Sequence, residues 1–208
     1  KNSAGVLGDN RDAAGYYCMW TAKAAFVNCT FYENKVIGGQ RGGALNVNAG
    51  DLDVINCTIH KNDGKSMGGG IQIRTATAKV RIYNSVIAGN IAATAGMEDL
   101  GYDNESAARA VIRNSVVGTA VYDAGGSITA GASFDAATMF GTFGNNGGHT
   151  STITLTGSNN PAVSGGMSAS ELSALVKDTL VPAADAALVT KDQTGAERSG
   201  KHMGACVR

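Results

Sequence analysis

The chain has 208 residues, and its 17 Lys and Arg residues balance its 17 Asp and Glu residues, so the formal net charge is zero. This balance argues against a strongly basic nucleic-acid-binding protein and against a polybasic membrane-surface protein. No apolar run approaches the roughly 18 residues that a membrane-spanning helix needs, so we expect no such helix.

Residues 1–23 form an N-terminal segment without a clear period, which we interpret as the end of a preceding coil. Tyr16, Tyr17 and Trp20 cluster in this segment. Aromatic rings beside a polar groove can stack on sugar rings, so these three are candidate ligand-binding residues. The alternative is that they cover the N-terminal end of the hydrophobic core, which is the commoner role of aromatic side chains.

A tetrapeptide is repeated four times between residues 28 and 117, and its leading asparagines are 28, 28 and 30 residues apart. Each copy follows a short run of alternating residues, the period expected of a β-strand. Two or three short strands in a unit of this length are typical of one coil of a parallel β-helix. We therefore predict an all-β fold, a right-handed single-stranded parallel β-helix of about four coils over residues 24–133. The copies are Asn28-Cys29-Thr30-Phe31, Asn56-Cys57-Thr58-Ile59, Asn84-Ser85-Val86-Ile87 and Asn114-Ser115-Val116-Val117.

Equivalent positions of successive coils stack about 4.8 Å apart, so the repeat predicts rows of side chains. Asn34, Asn62 and Asn90 should stack as an asparagine ladder at a corner, where their amides bond to the neighbouring coils. Three further rows should point inward and form the core. They are Phe26, Val54, Ile82 and Ile112; Phe31, Ile59, Ile87 and Val117; and the small residues Cys29, Cys57 and Ser85.

Two outward rows place opposite charges on neighbouring coils. We expect Asp53 to pair with Arg81, and Glu33 to pair with Lys61. Each pair would help to hold the register of the coils and would contribute at most about 1 kcal/mol.

The other outward rows hold the few candidate chemical groups. His60 is the best single candidate for acid–base catalysis and shares its row with Tyr32, although a lone outward histidine is usually just exposed. Tyr83 lies in an outward row with Val27, Ile55 and Arg113. Tyr32 and Tyr83 therefore join the candidate ligand-binding residues.

No metal centre or cofactor is predicted. Cysteine and histidine residues lack the paired spacing of a zinc site. Asp51, Asp53 and Asp63 of one coil could bind Ca²⁺, but solvated loop carboxylates are much commoner. Cys29 and Cys57 should stack at a spacing that a disulfide can span, although buried free thiols are the simpler interpretation. The four cysteines are Cys18, Cys29, Cys57 and Cys206.

Residues 134–208 form a predicted C-terminal capping tail. Ser168 and Glu171 stand at the spacing of a capping box, and apolar residues follow at helical spacing. We predict a short helix over about residues 169–180, ended before Pro182. Because an open β-helix end exposes strand edges and core, we expect this helix to lie against the end of the solenoid.

The repeats NCTFYENKVIGGQRGGALNV and NCTIHKNDGKSMGGGIQI resemble those of secreted right-handed β-helix proteins, including the chlamydial polymorphic outer-membrane proteins. A closer resemblance is to bacterial "choice-of-anchor Q" surface proteins. It rests on VRIYNSVIAGN with a downstream EDL, on GNNGGHT with Leu155 after it, and on DQTGAER followed by GA. The resemblance covers roughly residues 24–208 and implies export and surface display, with no established activity.

The residues and the resemblance together favour a non-enzymatic secreted or cell-surface protein, acting as an adhesin, a glycan-binding module or a scaffold. Its expected partners are surface glycans or other cell-envelope proteins, not nucleic acid. One alternative is a polysaccharide lyase or glycoside hydrolase, because the β-helix hosts many such enzymes. Another is an accessory subunit of an outer-membrane assembly, held by strand addition at a coil end.

Overall fold

The computed structural model describes residues 3–4, 12–103, 110–119 and 134–206. Parts of the predicted N-terminal segment, coil region and tail therefore lie outside the described residues. The strands are β1 Ser3–Ala4, β2 Tyr16–Met19, β3 Lys23–Val27, β4 Thr30–Tyr32, β5 Lys35–Val36, β6 Leu45–Asn48, β7 Asp51–Ile55, β8 Thr58–His60, β9 Ile71–Ile73, β10 Lys79–Tyr83, β11 Val86–Ile87, β12 Leu100–Tyr102, β13 Ala110–Arg113, β14 Val116–Val117, β15 Phe140–Gly144 and β16 Thr152–Leu155.

Twelve of these strands build three parallel sheets, each four strands deep. Sheet I has the order β2-β6-β9-β12, sheet II β3-β7-β10-β13 and sheet III β4-β8-β11-β14. The chain visits the three sheets in turn and then returns to the first, one strand further along the axis. This arrangement is a parallel β-helix and confirms the predicted fold class. The short strands β1 and β5 pair beside the three sheets, and β15 and β16 form an antiparallel pair in the tail.

The predicted inward rows are confirmed by the strand register. Val54 is paired with Phe26 on one side and Ile82 on the other, and Ile82 is paired with Ile112. The second row, from Phe31 to Val117, is paired in the same way in sheet III. Leucine and isoleucine residues of sheet I complete the core between the sheets. The period-two alternation of short strands therefore determines which side chains face inside.

The leading asparagine of each repeat occupies a corner with left-handed backbone. Asn28, Asn56, Asn84 and Asn114 have φ values of 54°, 53°, 52° and 44°. Asparagine tolerates this conformation better than most residues with a side chain, which explains its recurrence at this corner. The amide Nδ2 of Asn84 also donates to Oδ1 of Asn56, 2.7 Å away, so neighbouring corners are joined.

The predicted asparagine ladder is confirmed at a second corner. Asn34 Nδ2 donates to Asn62 Oδ1 at 2.7 Å, and Asn62 Nδ2 donates to Asn90 Oδ1 at 2.9 Å. Asp99 extends the ladder, since its Oδ1 accepts from Asn90 Nδ2 at 2.7 Å and its Oδ2 accepts from the Thr119 backbone amide at 2.9 Å. Burial raises the pKa of Asp99, while the hydrogen bonds from Asn90 and Thr119 oppose that shift.

The tail contains the β15–β16 pair, helix α1 Pro161–Ser164, helix α2 Ala169–Leu175 and two 3-10 helices, Val176–Asp178 and Ala183–Thr190. The capping box is confirmed: the Ser168 hydroxyl accepts from the Glu171 backbone amide, and the Ser168 amide donates to Glu171 Oε2 at 2.8 Å. The predicted helix over 169–180 is thus an α-helix of two turns that tightens into a 3-10 turn.

The tail does not lie where the sequence analysis placed it. It packs along the outer sides of sheets II and III instead of against a coil end. The reason is the outward row with Val27, Ile55 and Tyr83, which is apolar and is buried by Leu172 and Val189 of the tail. A second cluster covers sheet III, where Val86 and Val116 pack against tail side chains including Phe134 and Met203.

One predicted charge pair helps to hold this packing. Arg81 Nε donates to Asp53 Oδ1 at 2.5 Å, which confirms the Asp53–Arg81 pair. Asp53 Oδ2 accepts from the backbone amide of Leu180 in the tail, so the carboxylate joins two coils to the tail. The ammonium of Lys61 lies 5.8 Å from the centre of the Tyr32 ring, and its pairing with Glu33 stays a prediction.

The DQTGAER motif fastens the tail to the first coil. Arg198 is buried, and its guanidinium donates to the carbonyl oxygens of Lys191, His202 and Gly204. It also donates to Asn28 Oδ1 at 3.4 Å. Burial lowers the pKa of Arg198 to about 10, against the opposing charge of Asp192. The motif on which the family resemblance partly rests therefore has a structural role in this chain.

Candidate functional site

His60 and Tyr32, two candidates from the sequence, lie beneath the β15–β16 hairpin. The Tyr32 ring stacks on Phe143 with a centroid distance of 4.4 Å, and the His60 ring lies 4.1 Å from the Phe140 ring. His60 is only 5% exposed, and its Nδ1 donates to the Ala88 carbonyl at 2.8 Å. Burial lowers the pKa of His60. The expected exposed acid–base row is therefore a covered aromatic cluster.

Two further candidates are also covered. Tyr83 is only 3% exposed because helix α2 and the following residues pack over it. Tyr16 faces the core, and its ring meets the Phe26 ring edge-on at 5.2 Å. The position of Tyr16 therefore fits the second interpretation given above, in which the aromatic ring covers the N-terminal end of the core.

The three carboxylates considered for Ca²⁺ are each placed differently. Asp53 is engaged by Arg81 and Leu180, as described above. Asp63 forms an ion pair with Lys35 at 3.2 Å, and Asp51 begins strand β7. Within residues 12–103, 110–119 and 134–206, no three His, Cys, Asp or Glu side chains form a metal-binding group.

The outer side of sheet I differs from the other two, because most of its outward positions are polar, although Asn46 and Gln72 among them are buried. Tyr17, Asn46 and Gln72 form one row across neighbouring coils. A second row contains Met19, paired with Asn48, and continues through Arg74, whose backbone amide bonds to Val47 of strand β6. We call this surface the polar face. The apolar clusters that the described part of the tail forms lie on sheets II and III instead.

Arg74 is the centre of the polar face. Its Nη1 donates to Asp12 Oδ2 at 3.0 Å and to the Tyr17 hydroxyl at 2.9 Å, and its Nε donates to Asp103 Oδ2 at 3.2 Å. Arg41 also donates to Asp103. A cavity of about 230 Å³ is lined by Asp12, Gln40, Arg41 and Arg74.

The electrostatics of this cluster keep Arg74 protonated. Burial disfavours the charged guanidinium, but Tyr17, Asp103 and Asp12 together outweigh it, so the pKa of Arg74 is raised. A guanidinium held in this way is a poor proton acceptor and a good hydrogen-bond donor. The cluster is therefore suited to holding oxygen atoms of a ligand in fixed positions.

Two amides lie buried beneath the polar face. Among the described residues, neither the nitrogen nor the oxygen of the Asn46 side chain has a hydrogen-bond partner, and Gln72 Oε1 has none. A buried polar group without a partner costs about 1–3 kcal/mol. The backbone of Gly42, with φ of 74°, packs directly on Asn46. A Cβ atom added to Gly42 would lie only 2.6 Å from the Asn46 Cβ. The glycine-rich turn thus brings the backbone directly onto this polar row.

Trp20 lies at the edge of the polar face, directly after strand β2. Its side chain is the most exposed large apolar group in the described part of the chain, at 73%. A cavity of about 310 Å³ beside it is lined by Trp20, Thr21, Lys23, Gly50, Asp51, Thr77 and Lys79. We call this group of residues the Trp20 corner.

Of the sequence candidates, Tyr17 belongs to the polar face, where its hydroxyl accepts from Arg74, and Trp20 lies at the edge of that face. Sequence reasoning missed Arg41, Arg74 and Asp103, which complete the polar face. The signal was present in strand β6 and in strand β9 with the residue that follows it, where LNVN and IQIR alternate apolar with polar residues. The repeat was aligned on the tetrapeptide of sheets II and III, so these strands of sheet I were not placed in a row.

No family model matches the chain, and no curated protein or solved structure is significantly similar to it. No helix in the described ranges is long and apolar enough to span a membrane.

Proposed function

We propose that the protein is a non-enzymatic β-helix module that binds a glycan on the polar face and at the Trp20 corner. The observation that carries the proposal is the hydrogen-bonded polar cluster around Arg74 on sheet I, which lies apart from the apolar packing of the tail. The chain's own tail packs on the outer sides of sheets II and III. Sheet I instead carries a fixed polar cluster beside an exposed indole.

The chemistry of the polar face suits sugar hydroxyl groups. Asn48, Tyr17 and Arg74 offer donors and acceptors that are already held in place, since Asn48 Nδ2 lies 3.3 Å from the Tyr17 oxygen. Preordered groups lose little conformational entropy when a ligand binds. The exposed face of an aromatic ring adds apolar contact with the C–H groups of a pyranose.

The same cluster disfavours the alternative of a polysaccharide-cleaving enzyme. A glycoside hydrolase needs one carboxyl group to donate a proton and a second to act as base or nucleophile. Asp12 and Asp103 both bind Arg74, and Asp103 also accepts from Gln72 Nε2 at 2.7 Å. Both carboxylates are therefore committed to hydrogen bonds within the cluster and do not form the pair of opposed carboxyl groups that such an enzyme places on either side of the glycosidic bond.

We further propose that the module is displayed on a bacterial surface or secreted, as the resemblance to choice-of-anchor Q proteins implies. Detection of the protein in surface-shaved or culture-supernatant fractions of its source cells would test this; confinement to the interior fraction would contradict it.

The function is tested by calorimetric titration of the whole chain with neutral and acidic polysaccharides, alongside an assay for new reducing ends and unsaturated uronates. We expect binding without turnover. Trp20→Ala and Arg74→Gln should each weaken binding, whereas Lys177→Gln on the tail should not. Turnover of any substrate would replace the proposal with the enzyme alternative, and an absence of binding to every polysaccharide would reject it.

A further inference from the structure

We propose that the Trp20 corner selects an acidic polysaccharide, with the indole stacking on one sugar ring and Lys23 and Lys79 binding its anionic group. This inference rests on the proposed glycan-binding function and narrows the ligand to one chemical class. It is carried by the position of Trp20, by the charges around it and by the cavity that they share.

The indole of Trp20 is not needed by the turn that it occupies. Trp20 follows Met19, which is paired with Asn48, so Ala49 stands at the same position one coil later. The two residues have the same left-handed backbone, with φ of 54° for Trp20 and 56° for Ala49. A methyl group is therefore sufficient at this turn, and burial cannot be the reason for a ring that is 73% exposed.

The charges at the corner form a row across three coils. Lys23, Asp51 and Lys79 are paired in sheet II, with Asp51 in the middle. The row carries one positive charge in excess. Within the described residues neither lysine has a carboxylate within 4.0 Å, whereas Lys35 and Lys191 do form such ion pairs. The two ammonium groups are thus available to an anion from solution.

The cavity provides room for such a ligand beside the ring. At about 310 Å³ it lies near the lower end of the range for small-molecule sites. Thr77 adds a hydroxyl that lies 3.2 Å from the Thr75 hydroxyl. An aromatic plane, a polar hydroxyl and two ammonium groups together match a pyranose ring that carries a carboxylate or a sulfate.

Lysine binds such groups as a point charge and has no fixed fork of donors. The corner therefore recognises the negative charge of the sugar and depends little on the geometry of the anionic group. An exposed tryptophan beside lysines is also found where proteins rest on anionic membranes. Here the lysines flank a carboxylate and a concave wall, which favours a discrete ligand over a flat lipid surface.

Trp20 is the only tryptophan of the chain, so its fluorescence reports on the corner directly. The probes are polygalacturonate, its fully methyl-esterified form, dextran sulfate and neutral dextran, each titrated into the whole chain at low and at high salt. Anionic vesicles of phosphatidylglycerol in phosphatidylcholine form a further arm. The variants are Lys23→Gln/Lys79→Gln and, as a matched removal of two lysines elsewhere, Lys61→Gln/Lys177→Gln.

We expect polygalacturonate to bind at least about tenfold more tightly than its methyl ester, with the preference reduced at high salt and lost in Lys23→Gln/Lys79→Gln. The control pair should bind as the wild type does. Dextran sulfate should likewise bind more tightly than neutral dextran, because the proposed ligand carries either a carboxylate or a sulfate.

The outcomes separate this inference from the proposed function. Equal binding of charged and neutral polymers, unaffected by the lysine changes, would overturn the inference and leave glycan binding intact. Binding to vesicles but to no polysaccharide would overturn both in favour of a membrane surface. Trp20→Ala, followed by calorimetry because it lacks the fluorophore, should unfold at the wild-type temperature, since Ala49 occupies the equivalent turn.

Discussion

Asn62 lies between Asn34 and Asn90 and is hydrogen-bonded to both, through Oδ1 on one side and through Nδ2 and its backbone amide on the other. Its Nδ2 also donates to the carbonyl oxygens of Phe31 and His60. One buried side chain therefore satisfies polar groups of three successive coils.

Replacing Asn62 by Ala should lower the free energy of unfolding by about 2–4 kcal/mol, because several buried donors and acceptors lose their partner at once. Glycan binding by the folded variant should be unchanged, since the ladder lies apart from the polar face. Urea denaturation measures the first effect and calorimetry the second. A loss of binding with stability intact would contradict the structural role of this row. Lys61→Ala, a change at the exposed neighbouring position, serves as the control.

Replacing Arg198 by Met should detach the tail. The carbonyl oxygens of Lys191, His202 and Gly204 would lose their donor, and we expect a loss of about 3–5 kcal/mol. Hydrogen exchange should then increase in helix α2 and strand β7 more than in strand β9. Arg198→Lys, which keeps the charge but cannot reach all the acceptors, should have an intermediate effect. A uniform increase along the whole chain would show that the tail and solenoid unfold as one unit.

Burial of His60 predicts a specific acid sensitivity. Its folded pKa is lowered below the ordinary value of 6.5, so the unfolded chain binds the proton first as the pH falls. The stability contributed by neutral His60 is present above pH 6.5 and is lost as the pH falls below that value toward the lowered pKa. His60→Gln retains a donor for the Ala88 carbonyl and should remove this part of the pH dependence. Equal slopes for the wild type and the variant, in denaturation between pH 5 and 7.5, would argue that His60 is accessible to protons in the folded state.

The cysteine pair predicts an order of thiol reactivity. A hydrogen bond from Cys57 lowers the pKa of Cys29, with burial opposing the shift, whereas burial raises the pKa of Cys57 well above its ordinary value. All four cysteines are free thiols in this structure. We expect iodoacetamide to modify Cys29 first in the native protein and all four cysteines after unfolding without reductant. Peptide mass mapping identifies the sites, and fewer than four reactive thiols after unfolding would indicate a disulfide.

The repeat was enough to predict the solenoid and its inward rows, because each strand follows a period of two and one corner of each coil takes an asparagine at left-handed φ. It was not enough to place the tail. Helical spacing in residues 169–180 identifies a helix with an apolar side, but it does not identify the surface that covers that side. The apolar outward residues Val27 and Ile55 were the available clue. His60 and Tyr32 were misjudged for the same reason, since nothing local to strand β8 indicates that Phe140 and Phe143 will cover it.

The way in which the tail folds back bears on the order in which the chain assembles during synthesis. Successive coils bond to one another over about 28 residues, as Asn34 does to Asn62, whereas Asn28 meets Leu188 over 160 residues. Contacts that close long loops form slowly, so the solenoid should be complete before the tail arrives. Until then Ile55 and Tyr83 present an uncovered apolar row, and the growing chain would benefit from protection at that row against association with other copies.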